Sequence, residues 1–148
     1  MIRDVLIFQI EELWLGVPVG HVQEVVRAVA MSAVPGADVD YEGLINYRGH
    51  PVPVFDLRAR LGLPPPPVAL SDCLILFFGP ERLLAVRADR ALELAKVERS
   101  ACRPVDDLAL GRGVFAEALD YHDRLVLVLD PLQCRPRPRL LREEAETS

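Results

Sequence analysis

The chain predicts an all-β protein, a barrel or sandwich with two small lobes over one apolar core. Three observations carry this expectation. Short apolar runs of about four to eight residues recur along the chain, as strands do. Glycine- and proline-centred turn signals separate them. The helices of roughly 10–15 residues that parallel βαβ units would place between strands are missing from the pattern.

The elements follow in order. Residues 5–10 (VLIFQI) read as a first strand, Glu11 and Glu12 as a turn, and residues 13–17 (LWLGV) as the returning strand, stopped by Pro18. In residues 21–26 the spacing of Val22, Val25 and Val26 suits one helical turn. Residues 27–34 read as a strand and residues 35–38 (PGAD) as a loop. Residues 44–47 and 52–55 form two strands joined at Arg48-Gly49-His50, a hairpin signal because glycine supplies the positive φ of a tight turn. Asp56 caps a short helix over residues 57–61 that Gly62 ends.

Pro64 to Pro67 are incompatible with helix or central strand and read as an extended, stiff connector. Residues 73–78 and 82–86 make another strand pair around Gly79-Pro80. Residues 90–97 repeat the apolar spacing of the first half, and residues 125–129 (LVLVL) form a strong strand. From Arg135 the chain reads RPRPRLLREEAETS, a solvated polar tail with a short helix from Leu140.

The second half echoes the first. Residues 41–56 (YEGLINYRGHPVPVFD) align without a gap on residues 115–130 (FAEALDYHDRLVLVLD). Tyr47 meets Tyr121, Val52 and Val54 meet Val126 and Val128, and Asp56 meets Asp130. Duplication of one small β unit accounts for this.

At 148 residues, with 51% apolar and 26% charged side chains, the chain is globular in composition. A fold of this size buries about 68% of its unfolded surface and needs neither disulfides nor metals for a core. The net charge of −5 shows no basic face, which argues against nucleic acid as a partner. Lys96 is the only lysine among the basic residues, a composition bias rather than a functional choice. Cys73, Cys102 and Cys134 are odd in number and widely spaced, so a disulfide framework or zinc site is not expected. No secretory leader and no apolar run of about 18 residues is visible, so the expected location is the cytoplasm.

Chemistry is hard to find in the chain. His21, His50 and His122 lack metal-ligand spacing, and the last two flank hairpin turns. No serine sits in a nucleophile elbow, and no glycine loop cradles phosphate. Glu11-Glu12 and Asp106-Asp107 read as solvated turns. A non-catalytic protein with no cofactor and no metal is expected.

Residues 43–63 (GLINYRGHPVPVFDLRARLGL) carry the most specific pattern. Glycine, apolar residues, N-x-R-G, then a P-V-x-D-L-R-like segment and a leucine-glycine ending resemble the signature of CheW-like domains. Residues 15–19 followed by Val22-Gln23-Glu24-Val25 are similar to that family's strand and V-x-E-V element. The resemblance spans roughly residues 4–134. It implies two SH3-like five-stranded β-barrels over a shared apolar core, in a single domain over residues 1–134. Lobe one would cover residues 5–62, a connector residues 63–71 and lobe two residues 72–134, leaving 135–148 as tail.

The resemblance further implies a scaffold that couples the cytoplasmic tip of chemoreceptors to the regulatory domain of a CheA-type histidine kinase. Such a protein works in the cytoplasm at membrane-associated receptor arrays, without inserting into the membrane. The runner-up is a regulatory CheW-like module of a non-flagellar chemosensory pathway that competes for or modulates the kinase. Receptor-contact positions fall on Val22, Glu24, Gly43, Arg48 and Gly49, and kinase-contact positions on Arg103, Asp107 and Leu108. Val22 would offer an apolar contact to a receptor helix. Glu24 and Arg48 have opposite charges, and the pair fits either orientation of the receptor or bracing of the hairpin. Gly43 and Gly49 fit a purely conformational role equally well. The chain departs from the family pattern at Tyr47, where an aliphatic residue is usual, at Glu117, where glycine is usual, and at His50-Pro51.

Overall fold

Apolar alternation with period two puts most of the chain into strands. The computed structural model describes residues 1–28, 31–32, 40–64, 69, 71–105 and 113–136. Among these are β1 (Ile2–Ile10), β2 (Leu13–Pro18), β3 (Val22–Arg27), β4 (Tyr41–Tyr47), β5 (His50–Phe55), α1 (Leu57–Arg60), β6 (Cys73–Phe78), β7 (Leu83–Ala88), β8 (Arg90–Glu98), β9 (Cys102–Pro104), β10 (Phe115–Tyr121) and β11 (Arg124–Leu129). They form a six-stranded sheet in the order β8-β1-β2-β11-β10-β9 and a five-stranded sheet in the order β3-β6-β7-β5-β4.

Each sheet draws on both halves of the chain. The β1–β2 hairpin pairs with β8 and, in parallel, with β11. The β6–β7 hairpin pairs with β3 and, in parallel, with β5. The all-β, two-lobe architecture is therefore as expected, but the sheets do not divide at the proline-rich connector. The first hairpin of each half lies in the other half's sheet, and one sheet has six strands rather than five.

The core explains this exchange. Successive side chains of β1 and β6 point to opposite faces. Leu6, Phe8 and Ile10 of β1 meet Ile75 and Phe77 of β6 in a central cluster that both sheets share. Val5 and Ile7 instead join Leu119, Val126 and Val128 inside the six-stranded sheet. Leu74 and Leu76 join Ile45, Val52 and Val54 inside the five-stranded one. Both hairpins are thus buried on two faces, and each buried large apolar side chain contributes about 1.5–3 kcal/mol.

The echo between the halves holds at the level of register. Tyr41↔Phe55, Gly43↔Val54 and Tyr47↔His50 in β4–β5 have counterparts in Phe115↔Leu129, Glu117↔Val128 and Tyr121↔Arg124 in β10–β11. Both pairs carry an irregularity at the same place, between Tyr41 and Gly43 and between Phe115 and Glu117. Asp56 then caps α1 by accepting from the Ala59 amide at 2.9 Å. Asp130 accepts from the Leu132 amide at 3.1 Å above a 3-10 turn, Pro131–Gln133.

Two local expectations are corrected. Residues 21–26 are not a helical turn. A 3-10 turn, Val19–His21, leads into β3, where burial alternates and Val25 points outward at 39% exposure. Val22, Val25 and Val26 suit a helical spacing, but pairing with β6 decides for the strand. Residues 90–97, with the same spacing, likewise form β8 against β1. The β4–β5 turn also proves one residue shorter, with His50 already paired to Tyr47. For residues 27–34, β3 ends at Arg27 and Ser32 bridges Leu44, while 29–30 and 33–34 lie outside the described residues. Connector residues 65–68 and tail residues 137–148 also lie outside them.

Polar ties hold the packed elements together. Buried Arg58 of α1 hydrogen-bonds Asp89, Arg60 reaches Asp40 at 3.4 Å, and Arg87 reaches Glu42 at 2.8 Å. No helix among the described residues is long and apolar enough to cross a membrane.

Candidate functional site

The β4–β5 hairpin turns on two residues, Arg48 at φ 52° and Gly49 at φ 84°. Both positive values suit the primed turn that matches strand twist. The Asn46 side-chain oxygen accepts from the Gly49 amide at 2.8 Å and pins the turn. Arg48 folds back rather than out. Its guanidinium lies 5.1 Å from the centre of the Tyr47 ring, and one of its nitrogens stands 3.2 Å from Glu24 Oε2.

Glu24 comes from β3, the opposite edge of the same sheet. The Tyr47 hydroxyl donates to the same Oε2 that Arg48 reaches. Tyr47, Arg48 and Glu24 therefore form one cluster across the seam where the sheet closes. Arg48 is 69% and Glu24 37% exposed, so the cluster faces solvent. An exposed pair of this kind contributes only about 0–1 kcal/mol to stability.

The other expected receptor-side residues are placed differently. Gly49 borders the cluster, with open space where a Cβ would be. Gly43 is buried, and a Cβ there would stand 3.0 Å from the Ser32 carbonyl oxygen and 3.2 Å from the Met31 Cβ. Its smallness lets Ser32 bond Leu44 through both backbone groups, at 2.8 and 2.9 Å. Val22 is half-buried and packs against the central cluster, while Tyr47 packs against the lobe's own core. The irregular pairing between Val22 and Glu24 separates their surroundings. The structure thus joins Glu24, Arg48 and Gly49, and sets Gly43 and Val22 apart as packing positions.

Of the expected kinase-side residues, Arg103 sits on β9 at 64% exposure, 3.4 Å from Asp120. Asp107 and Leu108 lie outside the described residues. Glu117 makes two hydrogen bonds from Arg3, at 2.8 and 2.9 Å, tying β10 to β1. The departure from glycine there is used inside the fold.

Sequence reasoning passed over Tyr47 as a site residue. The signal was available in its alignment with Tyr121, whose hydroxyl donates to Glu93 at 2.8 Å. Glu93 lies on β8 as Glu24 lies on β3, so the tyrosine–glutamate tie is itself duplicated. That hydrogen bond is the main cause that pushes the Tyr121 hydroxyl pKa up. His122 and Asp123 replace Arg48 and Gly49, both at positive φ, and His122 packs edge-on to Tyr121.

Two clefts repeat the same symmetry. One, of about 490 Å³, lies between Tyr47, His50 and Pro51 and the Glu81-Arg82-Leu83 turn. Its twin, of about 280 Å³, lies between Arg124, Leu125 and Leu127 and the Glu12-Leu13-Trp14 turn, with Arg124 over the Trp14 ring. No cluster of three or more metal-ligating side chains occurs among the described residues.

Comparison with known proteins agrees with this architecture. The CheW-like domain family matches residues 4–135. A probable chemotaxis protein CheW from Rhizobium etli is 23% identical over 120 residues, 77% of each chain. The crystal structure of the scaffolding protein TtCheW from Thermoanaerobacter tengcongensis superposes with a TM-score of 0.80 at 20% identity, covering 89% of this chain and 86% of that one. The family match spans nearly the whole chain, both sheets and the Arg48-Gly49 hairpin included, and this chain belongs to the CheW-like domain family.

Proposed function

We propose that this chain is a non-enzymatic coupling scaffold that links the cytoplasmic tip of a chemoreceptor to the regulatory domain of a CheA-type histidine kinase. The observation that carries the reading is the exposed Arg48–Glu24 pair, held on a positive-φ turn whose N-x-R-G pattern, by its resemblance to CheW-like domains, implies receptor contact. A scaffold works by presenting fixed polar and apolar groups to two partners at once, and a rigid hairpin on a sheet edge suits that task. Glu24, Arg48 and Gly49 would face the receptor. Gly43 and Val22 would act indirectly, by holding the hairpin and β3 in place. Arg103 on the edge strand β9, with Asp107 and Leu108, would face the kinase. In this reading the protein works in the cytoplasm, drawn to membrane-associated receptor arrays by its partners.

Arg48→Glu tests the reading. Reversing the charge at an interface weakens binding by roughly a hundredfold, while an exposed pair leaves stability nearly unchanged. The expected result is loss of co-sedimentation with a chemoreceptor cytoplasmic-tip fragment at unchanged Tm and unchanged capture of the kinase regulatory domain. Full receptor binding by Arg48→Glu, or failure of the parent chain to bind either fragment, overturns it.

A further inference from the structure

We infer that Tyr47 is the positioning residue of the receptor-facing pair, the group that aims Glu24 and Arg48 at the partner. This rests on the coupling reading above and assigns a role to a residue at which the chain departs from its family pattern.

The geometry points to Tyr47 for three reasons. Its ring packs against the lobe's own core, so its position is set by Ile45, Val52 and their neighbours rather than by solvent. Its hydroxyl donates to Glu24 Oε2, the oxygen that Arg48 also reaches, and among the described residues Oε1 accepts no hydrogen bond. The carboxylate is thereby turned with one oxygen engaged by the hairpin and the other left for a donor on the partner. The same ring carries the Arg48 guanidinium at 5.1 Å, a cation–π contact that limits the freedom of an otherwise mobile side chain. One aromatic residue thus holds both charges, and the ordering cost of binding falls accordingly.

The duplicated hairpin supplies an internal control. Tyr121 makes the same tie to Glu93, but His122 stands in place of the arginine. A tyrosine–glutamate tie alone belongs to the closure of each sheet. Only in lobe one does the tyrosine also support an exposed cation.

The test compares Tyr47→Phe with Tyr121→Phe, each removing one hydroxyl. Tm and affinity for a chemoreceptor cytoplasmic-tip fragment are measured for both. Similar small decreases in Tm are expected, with receptor affinity reduced roughly tenfold in Tyr47→Phe alone, the equivalent of one net hydrogen bond. In an Arg48→Ala background, Tyr47→Phe should produce little further loss of affinity, because the two residues act as a unit. Unchanged affinity in Tyr47→Phe, or an equal loss in Tyr121→Phe, overturns the inference. So does a fully additive loss on top of Arg48→Ala, which marks a merely structural role. Arg48→Glu measured alongside separates the two readings. If it abolishes binding while Tyr47→Phe does not, only the positioning role fails; if neither affects binding, the coupling reading fails with it.

Discussion

Tyr47 and Glu24 stand on the two outermost strands of the five-stranded sheet, and a hydrogen bond between their side chains bridges those two edges. The bond sits beside the turn that presents Arg48, so the bridge between the edges and the shape of the candidate site depend on the same side chains. That arrangement sorts the expected site residues into those exposed beside the turn and those packed inside the frame.

Gly43 belongs to the frame. A methyl group there meets the Ser32 carbonyl and Met31, so Gly43→Ala overpacks the strand edge. A loss of about 1–3 kcal/mol is expected, read from urea unfolding. Receptor affinity of the folded fraction should stay within twofold or so of the parent, on the scale where about 1.4 kcal/mol is tenfold. A stable variant that fails to bind the receptor would make Gly43 a contact residue instead.

Glu117 is predicted to be a structural residue of the six-stranded sheet. It satisfies the Arg3 guanidinium, which is mostly buried. Glu117→Ala leaves that cation without its carboxylate and should cost about 1–3 kcal/mol in denaturant unfolding. The double variant Arg3→Met, Glu117→Ala should recover part of the loss, since replacing both partners removes the orphaned charge. No recovery would show that Glu117 acts through the backbone irregularity alone.

Glu42 contributes a pH dependence of definite sign. Burial pushes its carboxyl pKa above the ordinary range, and the Arg87 guanidinium opposes this only in part. Within the window between the unfolded and folded pKa, the native state holds a proton that the unfolded state has lost. Stability therefore falls as pH rises through that window. In Glu42→Gln the fall from the acid side of the carboxylate range to neutrality should be smaller, as followed by Tm against pH. An equal or steeper fall in the variant would show that the Arg87 ion pair outweighs burial.

Cys134 is expected to be inert in the native protein. It is fully buried, and burial is the main cause that pushes its thiol pKa far above the ordinary range. Thiolate is the reactive species, so alkylation should reach Cys134 only on unfolding. Peptide mapping after a short iodoacetamide pulse, with and without denaturant, checks this. Rapid native labelling would mean that the Pro131–Gln133 turn does not stay packed.

What the amino-acid sequence determined by itself is local. Turn chemistry at Arg48-Gly49, the Asp56 cap and the strand runs depend on neighbouring residues, and each could be read from them. The echo between residues 41–56 and 115–130 could also be read, because a shared register leaves matching side chains at matching positions. The tertiary structure alone decided the long-range partners. Period-two alternation says that β1 and β6 each have two faces to bury, yet nothing in it says that each hairpin is buried in the other half's sheet. Competition between helical and extended spacing at Val22–Arg27 was settled by pairing with β6 for the same reason. Tyr47 shows the consequence at the candidate site. As a letter in the sequence it is a departure before Arg-Gly; only the folded sheet brings Glu24 to its hydroxyl, and with it the exposed pair with Arg48.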